Sequence, residues 1–587
     1  SVAINRSLED KRSGKDGNKM AEGGVPENEV KKDLDDSIKD VVPTLRVFNG
    51  AFNDFRKRFP YYASDFTDAL EYRCLVTVIF MFFACIAPSI TFGGLMGKYT
   101  DERMGTTETL LAQSLCGVIW GLFSCQPFII QSATGPVLIF EASLTRLCTI
   151  LELDLLSVRF FAGIWIFLIC LIVVAFEGSW MLKYVTRFTE EIFAVMISGI
   201  FIFESINFIR KTNMDNPVED YSFYEHQHHD CNQTEVSVRP CQFGEPNTTL
   251  LTGLILFMTF FLACSLRYVR STIWFGKHVR NIFGDFGVFI AISVVAFLTQ
   301  QLFPDPILAR LEMPEHLNFT NLAKRGHGIF VIPRSTDTPI SIGVAAAAAL
   351  LVFILIFVET EITELLLTRK ERGLVKGSGM NWDLVLVGFC CLLCSLFGLP
   401  WMCAAAVQSL AHCSSLTITK KDKLNPNVMV VERVIEQRVT TICVSLLIGA
   451  FAFLGSVLRL PMASLFGVFL YLGIMNLAGV ELVKRTALFF VPVKYHWVTS
   501  YTKTMKVWRI HLYTVIQLVL VVIISIVKQG TYTALAFPFV LILFIVFRHT
   551  AIPKIFTTEE LAALDADEEH EEKREDRDGY TETALPI

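Results

Sequence analysis

The residues best suited to bind a ligand stand in an interrupted apolar stretch, residues 126–141. Pro127 and Pro136 break a run that is otherwise apolar enough for a membrane span, and hydrogen-bonding side chains stand beside the breaks. A proline removes an amide donor, and hydrocarbon offers no water to the carbonyl that it frees, so such a break belongs beside a cavity within the protein. We interpret residues 127–134 as unwound chain and residues 135–146 as a half-helix that begins near the middle of the bilayer.

The start of this half-helix is suited to bind an anion. Amides in the first turn have no partner within the helix, and the peptide dipoles place roughly half a positive charge at this end. A second interrupted stretch, Leu399–Ser415, contains Pro400 near its start and lies in the other half of the chain. Two broken helices at corresponding places in two halves are typical of a transporter site. The alternative is a pair of kinked helices with a structural role.

Four carboxyl groups stand inside apolar runs: Glu141, Glu204, Glu359 and Glu361. Each costs several kcal/mol in hydrocarbon unless it is paired or reached by water, so each is a candidate functional residue. A carboxylate beside an anion site would repel the anion unless it carries a proton or binds a cation. The alternative for each residue is a structural role, capping or bridging helices.

The composition indicates an all-α polytopic membrane protein, since 52% of the 587 residues are hydrophobic. The net charge of −5 excludes a nucleic-acid partner as a first hypothesis. The sequence shows no nucleophile–base pair and no phosphate-binding loop, which disfavours an enzyme, and we expect neither a cofactor nor a metal. We predict fourteen membrane segments, two of them half-helices, at about residues 72–92, 107–125, 134–147 (half), 157–181, 188–211, 249–268, 284–303, 339–368, 383–399, 404–415 (half), 436–457, 460–480, 511–528 and 533–549.

Charge bias predicts the orientation, because basic loops favour the cytoplasmic side. On a fourteen-segment count the basic loops all fall on the side of both termini, which we therefore expect to be cytoplasmic. The long outer loops carry glycosylation sequons at Asn232, Asn247 and Asn318. Cys231 and Cys241 stand in the first of these loops, where we expect a disulfide; the alternative is two unpaired thiols.

The chain divides by composition into three parts. Residues 1–50 are expected to be a disordered or linker segment, residues 51–556 the membrane domain, and residues 557–587 an acidic cytoplasmic tail. Within the membrane domain the first repeat covers about residues 70–305 and the second about residues 338–550. The tail is interpreted as a solvating segment, with a docking site for a basic cytoplasmic partner as the alternative. A histidine cluster is interpreted as solvated loop rather than as a metal site: His226, His228 and His229 beside Asp230.

Dense sequence motifs between about residues 52 and 570 resemble the bicarbonate transporter family, which includes band-three-type chloride/bicarbonate exchangers and sodium-coupled bicarbonate cotransporters. The matching stretches begin at Arg58 (RFPYY), Ile90 (ITFGGL), Gly135 (GPVLIFE), Arg187 (RFTEE), Gly284 (GDFG), Lys376 (KGSG), Gly398 (GLPW), Glu436 (EQRV), Phe469 (FLYLG) and Trp508 (WRIHL). The resemblance implies a homodimer of two inverted seven-segment repeats in the plasma membrane. A core domain would carry the anion between the two half-helices and move against a gate domain. Relatives usually carry a large cytoplasmic N-terminal domain, and we expect any such domain to be missing from this chain.

The resemblance also implies which residues contact the substrate. The residues expected at the anion are Gln131, Ser132, Thr134, Gly135 and Val137 on one side and Ala405, Ala406 and Gln408 on the other. Pro136 has no amide proton to offer. Glu359 is expected to act as the gating carboxylate, with Glu204 as a second coupling residue.

The subclass depends on few residues. Glutamate at positions 204 and 359 resembles the exchangers, as does Lys528, which matches a lysine that reacts with stilbene disulfonates. Exchangers carry an arginine where this chain has Gln408, and a lysine where it has Phe208. We therefore expect electroneutral exchange of bicarbonate for chloride. The alternative is a sodium-coupled bicarbonate cotransporter with Glu359 and Thr363 near the cation, and a membrane scaffold that binds partners through its tail is a third hypothesis.

Overall fold

The computed structural model describes most of the chain between residues 48 and 565. The described residues are 48–178, 184, 186–218, 246–269, 272, 274–302, 308–310, 319–326, 328–333, 338–368, 372–377, 379–421, 429–453, 460–496, 499–529 and 537–565. The predictions for the histidine cluster, the cysteine pair, Asn232, Asn318 and the acidic tail beyond residue 565 fall outside them. Asn247 is described, and it lies exposed in the first turn of a helix.

The first half of the chain forms helices around one break. Its elements are α1 (Asn49–Arg58), α2 (Tyr72–Tyr99), α3 (Thr106–Phe123), β1 (Gln131–Ser132), α4 (Gly135–Ile150), α5 (Leu155–Ala175), α6 (Arg187–Asp215), α7 (Pro246–Val269), α8 (Lys277–Asp285) and α9 (Gly287–Leu302). Helix α4 is the first half-helix of the sequence analysis. Residues 124–130 before it are not helical.

The second half repeats this order of long helix, helix and half-helix. Its elements are α10 (Thr338–Leu367), α11 (Met380–Leu396), β2 (Cys403–Ala404), α12 (Ala406–Leu416), β3 (Thr417–Lys421), β4 (Met429–Val434), α13 (Val439–Phe451), α14 (Met462–Ala478), α15 (Glu481–Ala487), α16 (Val507–Gln529), α17 (Phe537–Thr550) and α18 (Thr558–Asp565). A helix lies at each of the fourteen predicted segments, and the mainly helical class is confirmed. Two short antiparallel strand pairs, β1–β2 and β3–β4, were not predicted.

Side-chain caps explain where several of these helices begin. Helix α3 starts after Gly105, whose amide donates to the Glu108 carboxylate over 2.8 Å, as in a capping box. Helix α5 starts after Asp154, which accepts a 2.9 Å hydrogen bond from the Ser157 amide. Because these caps satisfy amides that a helix leaves unpaired, they end the preceding loops at defined residues.

Six of the described helices are long and apolar enough to cross a membrane. A seventh span results if α14 and α15, which meet at a bend of 73°, are counted together. The half-helices α4 and α12 are 16 and 11 residues long. At 1.5 Å per residue each is shorter than the roughly 30 Å hydrocarbon core, so neither crosses it alone.

The helices pack in two groups that each combine both halves of the chain. In the first group α5 packs against α10 and α11, and α13 packs against α2 and α3. In the second group α14 packs between α6 and α7, and α16 packs against α6. The half-helix α4 contacts α2, α5 and α10, and α12 contacts α2 and α10, so both belong to the first group.

Candidate functional site

The two broken helices meet through the strand pair β1–β2. Gln131 pairs with Ala404 and Ser132 with Cys403, in antiparallel register. The amide of Ala405 adds a 2.9 Å hydrogen bond to the carbonyl of Ile130. The first turns of α4 and α12 follow directly on these strands, so the pairing brings the two half-helix N-termini together inside the helix bundle. We call this place the half-helix junction.

The unwound chain before α4 is satisfied by side chains from the second half. Asp383 accepts hydrogen bonds from the amides of Cys125 (2.6 Å) and Gln126 (2.8 Å). Thr441 donates its hydroxyl to the carbonyl of Pro127 over 2.6 Å. Buried backbone groups without water need such partners, and here they come from α11 and α13.

Two further side chains tie α12 to the same unwound segment. Ser409 accepts a 3.0 Å hydrogen bond from the amide of Ile130. His412 donates from Nδ1 to the carbonyl of Phe128 over 3.1 Å, and its Nε2 lies 2.6 Å from the hydroxyl of Thr440. Both Ser409 and His412 are wholly buried. The second half-helix therefore holds the irregular backbone in front of the first.

Glu359 reaches the junction from α10. Its Oε2 accepts hydrogen bonds from the Thr134 hydroxyl (2.8 Å) and from the Cys403 thiol (2.7 Å). One partner is the N-cap of α4, and the other belongs to β2. Thr363, the other predicted coupling residue on this helix, donates its hydroxyl to the main-chain carbonyl of Glu359 over 2.7 Å. A titratable carboxyl group is thus held where the two helix starts meet.

Neither half-helix is capped by a side chain. Thr134 and Ala405 occupy the N-cap positions with extended backbone, and neither gives its helix a side-chain hydrogen bond. The first-turn amides, which include those of Gly135, Val137 and Ala406, are the groups that a helix leaves without internal partners. The junction therefore presents two uncapped positive helix ends.

Polar side chains at the junction also have unused hydrogen-bonding capacity. Among the described residues, both amide atoms of Gln131, the hydroxyl of Ser132 and Oε1 of Gln408 are buried without a hydrogen-bond partner. Buried polar groups in native proteins are normally paired with protein, water or ligand. The first turn of α4 is also closely packed, because a Cβ at Gly135 would collide with the ring of Phe201.

Glu141 is a bridging residue. Arg159 on α5 donates from Nε to both of its carboxylate oxygens (3.0 Å each) and from a terminal nitrogen to the carbonyl of Leu399 (2.9 Å). The guanidinium carbon lies 4.4 Å from the ring centroid of Trp401. This clamp joins α4 to the chain that leads into β2. Sequence reasoning missed Arg159, although an arginine within an apolar run was a signal.

Glu361 and Glu204 lie elsewhere. Glu361 is wholly buried, and within the described residues neither of its oxygens has a hydrogen-bond partner. Glu204 lines a cavity of about 190 Å³ together with Tyr99 and Arg146. We call this the outer cavity. Lys528 lies at the end of α16, and its side chain is outside the described part of the chain.

An ion network joins three of the sequence motifs. Arg58 donates to both oxygens of Asp65 (3.1 and 3.0 Å) and to Glu436 (3.2 Å). Arg438 donates to Asp65 over 2.9 Å, and Lys376 does so over 2.8 Å. Asp65, which the sequence analysis did not single out, is the shared partner. The network holds α1, the loop before α11 and the loop before α13 together.

Comparison with known proteins identifies the chain's relatives. A family model described as the HCO3− transporter integral membrane domain matches residues 46–242 and 219–569. Anion exchange protein 3 of Danio rerio is 40% identical over 567 residues, which cover 96% of this chain and 48% of that protein. The Band 3 anion transport protein of Homo sapiens is 38% identical over 548 residues, which cover 93% of this chain and 59% of that protein. The chain thus spans about half the length of such relatives.

Solved structures with low sequence identity share the fold. The transmembrane domain of the cyanobacterium bicarbonate transporter BicA superposes with a TM-score of 0.50 at 14% identity, covering 78% of this chain and 99% of that chain. A structure of SLC26A9 gives a TM-score of 0.51 at 11% identity, covering 81% of this chain and 65% of that chain. The family match and the apolar helices together indicate a multi-pass membrane protein. With the family model matching most of its length, the chain belongs to the bicarbonate transporter family and carries that family's integral membrane domain.

Proposed function

We propose that the half-helix junction binds bicarbonate and chloride in turn and that the protein exchanges them across the plasma membrane. The observation that carries this proposal is the meeting of two uncapped helix N-termini beside one carboxyl group. Each helix end supplies roughly half a positive charge, so the two together match one monovalent anion. The names of the relatives, anion exchange protein 3 and band 3, support the same class of substrate.

Glu359 would then control occupancy by its charge. The ionised carboxylate is one negative charge beside two half-positive helix ends, so it competes with an anion for the same field. When Glu359 is protonated, the positive field of the two helix ends attracts the anion without competition from the carboxylate. The binding of divalent anions is strengthened most, because they are repelled most by the ionised carboxylate. Carbonate or sulfate would accordingly travel with a proton, whereas bicarbonate and chloride would exchange without net charge.

The two packing groups supply the moving parts. We assign the first group, which contains both half-helices, to a core domain, and the second group to a gate domain. Because each group draws helices from both halves of the chain, the grouping supports fourteen segments in two inverted repeats. The basic loops favour an orientation with both termini in the cytoplasm. A homodimer would be formed by the gate domains, and motion of the core against them would give alternating access.

One experiment tests the function. Cells that express the protein are acid- or base-loaded, and the recovery of intracellular pH is followed while external chloride and then sodium are removed. Exchange predicts recovery that needs bicarbonate and chloride and is insensitive to sodium. Recovery that needs sodium and is independent of chloride would refute exchange and favour the sodium-coupled cotransporter. The observation that favours the cotransporter is Gln408, an uncharged amide where the exchangers carry an arginine.

A further inference from the structure

The outer cavity lies between α4 and the helices α6 and α14, where the two packing groups face each other. Its polar lining comes from Tyr99, Ser143, Arg146, Glu204 and Asn207, and the rest of the wall is apolar. Its volume of about 190 Å³ is below the roughly 300–1,000 Å³ of pockets that enclose drug-sized ligands. A small anion fits this space, and a large aromatic inhibitor does not.

Arg146 is the unpaired cation of this cavity. Among the described residues it makes no hydrogen bond and no ion pair, whereas the carboxylate of Glu204 has an interaction partner of its own. The ammonium of Lys98 also lies in the field of Glu204 and sits 4.6 Å above the ring of Phe208. Glu204 therefore interacts with other groups, and the guanidinium charge of Arg146 is left for a ligand.

Asn207 adds a donor beside Arg146. Its amide oxygen accepts hydrogen bonds from Nε (3.2 Å) and a terminal nitrogen (2.8 Å) of Arg210. That leaves the NH2 group of Asn207 as its remaining hydrogen-bonding group. A guanidinium fork with an amide donor beside it matches a planar oxyanion, because two parallel N–H groups can bind two oxygens at once. A spherical halide cannot use that geometry.

An aromatic cluster separates the outer cavity from the junction. Phe201 and Phe469 line the cavity, and their ring centroids are 4.9 Å apart. Phe92 completes the cluster at 6.0 Å from Phe201 and 5.3 Å from Phe469. Phe201 also packs directly on Gly135, the first residue of α4. From Gly135 to Arg146 the helix rises roughly 16 Å, at 1.5 Å per residue.

We propose that the outer cavity is a separate recruiting site for planar oxyanions of the bicarbonate class, held by Arg146, on the external route to the junction. The aromatic cluster of Phe92, Phe201 and Phe469 must part before the anion reaches the half-helices. The inference rests on the proposed function and on the orientation proposed with it. It explains how a site with Gln408 in place of a cation acquires a fixed positive charge on its access route.

The test compares the apparent affinity for bicarbonate at the external and the internal face of the membrane. Bicarbonate flux is measured while bicarbonate is titrated outside at constant internal composition, and then inside at constant external composition. Arg146→Gln should raise the half-saturating external concentration about tenfold and leave the internal value unchanged. Arg146→Lys, which keeps the charge and loses the fork, should recover part of the loss. Ala142→Phe, which fills the cavity beside Arg146, should reproduce the external effect.

Lys324→Gln is the matched control. This exposed lysine pairs with Asp101 (3.1 Å) and Glu102 (3.0 Å) in the loop that follows Tyr99, so its removal changes the charge of the same face away from the cavity. It should leave both half-saturating concentrations unchanged. The proposal is overturned if Arg146→Gln has no effect on external bicarbonate, if it acts equally at both faces, or if Lys324→Gln acts as strongly. Absence of bicarbonate flux in the wild type would instead refute the exchange function itself.

Discussion

The hydroxyl of Thr134 donates a 2.8 Å hydrogen bond to the carboxylate of Glu359, across 225 residues of sequence. Threonine at an N-cap usually accepts a hydrogen bond from its own helix, and Thr134 makes none. The Thr134 side chain is turned towards α10 and caps none of the first amides of α4. The same bond fixes the distance between the titratable carboxyl and the helix end whose field it shares.

Replacing Glu359 by glutamine should remove the charge and keep the shape. We expect Glu359→Gln to exchange bicarbonate slowly and to move sulfate without its accompanying proton, since the mutant cannot take one up. Bicarbonate-driven pH recovery and sulfate uptake at several pH values measure these effects. Thr360→Val, at a buried neighbour on the same helix, is the control for packing. Wild-type rates with unchanged pH dependence would leave Glu359 with a structural role alone.

Introducing an arginine at position 408 should strengthen chloride binding. Gln408 is half-buried near the start of α12, and its Oε1 has no hydrogen-bond partner among the described residues. A permanent charge beside the helix ends should raise chloride affinity about tenfold, or roughly 1.4 kcal/mol. A chloride titration of bicarbonate flux in wild type and Gln408→Arg measures this. Equal saturation in both would show that residue 408 does not face the anion.

Substitutions at Glu141 and Arg159 should have non-additive effects on stability, because the two side chains form one buried salt bridge. Removing one partner leaves a buried charge alone, which costs about 3–5 kcal/mol. We expect Glu141→Gln and Arg159→Gln each to lower the melting temperature of the purified protein strongly. The double mutant should be less destabilised than the sum of the two. Additive losses would mean that the salt bridge contributes nothing beyond packing.

Asp54 on α1 should make stability depend on pH. Burial raises its pKa to about 6 from 3.8, although hydrogen bonds from the amide (3.1 Å) and side chain (3.4 Å) of Asn381 oppose this. Because the folded state favours the proton, this contribution to stability is present below about pH 4 and is lost as the pH rises through about 6.

Asp54→Asn should therefore gain stability over the wild type as the pH rises from about 4 to about 6, and the gain should stay level above that. Melting temperatures at several pH values measure the difference. The control is Asp68→Asn, at an exposed partner of Lys376 in the short turn before α2. A constant difference between Asp54→Asn and wild type across this range would contradict the assignment.

The proposed orientation predicts modification and accessibility. Asn247 lies exposed in the first turn of α7, so it or Asn232 should carry a glycan, whereas an epitope at Ile587 should be cytosolic. Glycosidase-induced mobility shifts of Asn247→Gln and Asn232→Gln variants test the first statement. Antibody staining of the epitope in cells that have not been permeabilised would overturn the second.

The sequence predicts the helices well because each depends on a local property. Apolar runs of membrane length give the segments, and Pro127 and Pro400 mark the two breaks. Predicted ends were less accurate: the segment placed at residues 157–181 ends at Ala175, and the one placed at residues 436–457 is described as Val439–Phe451. Helix ends depend on caps and on packing, which periodicity does not contain.

Partnerships across the fold could not be predicted. Two-residue strands such as β1 and β2 have no sequence pattern of their own, and Asp383 and Thr441 gave no local sign that they satisfy the chain around Pro127. The strand β4, Met429–Val434, does carry a signal, because three of its six residues are valine, which favours a strand. Glu359 was singled out as a carboxyl in an apolar run, but its contact with Thr134 needed the three-dimensional fold.

The distance in sequence between contacting residues has a consequence for biosynthesis. Arg58 and Glu436 are 378 residues apart, and the first broken helix enters the bilayer long before β2 has been made. Until then the amides around Gln131 lack their partners in a medium that offers no others. The nascent chain must therefore wait, incompletely folded, for its second half. Substitutions at β1, β2 or Asp383 should lower the amount of folded protein in the membrane, and not only the rate at which each molecule works.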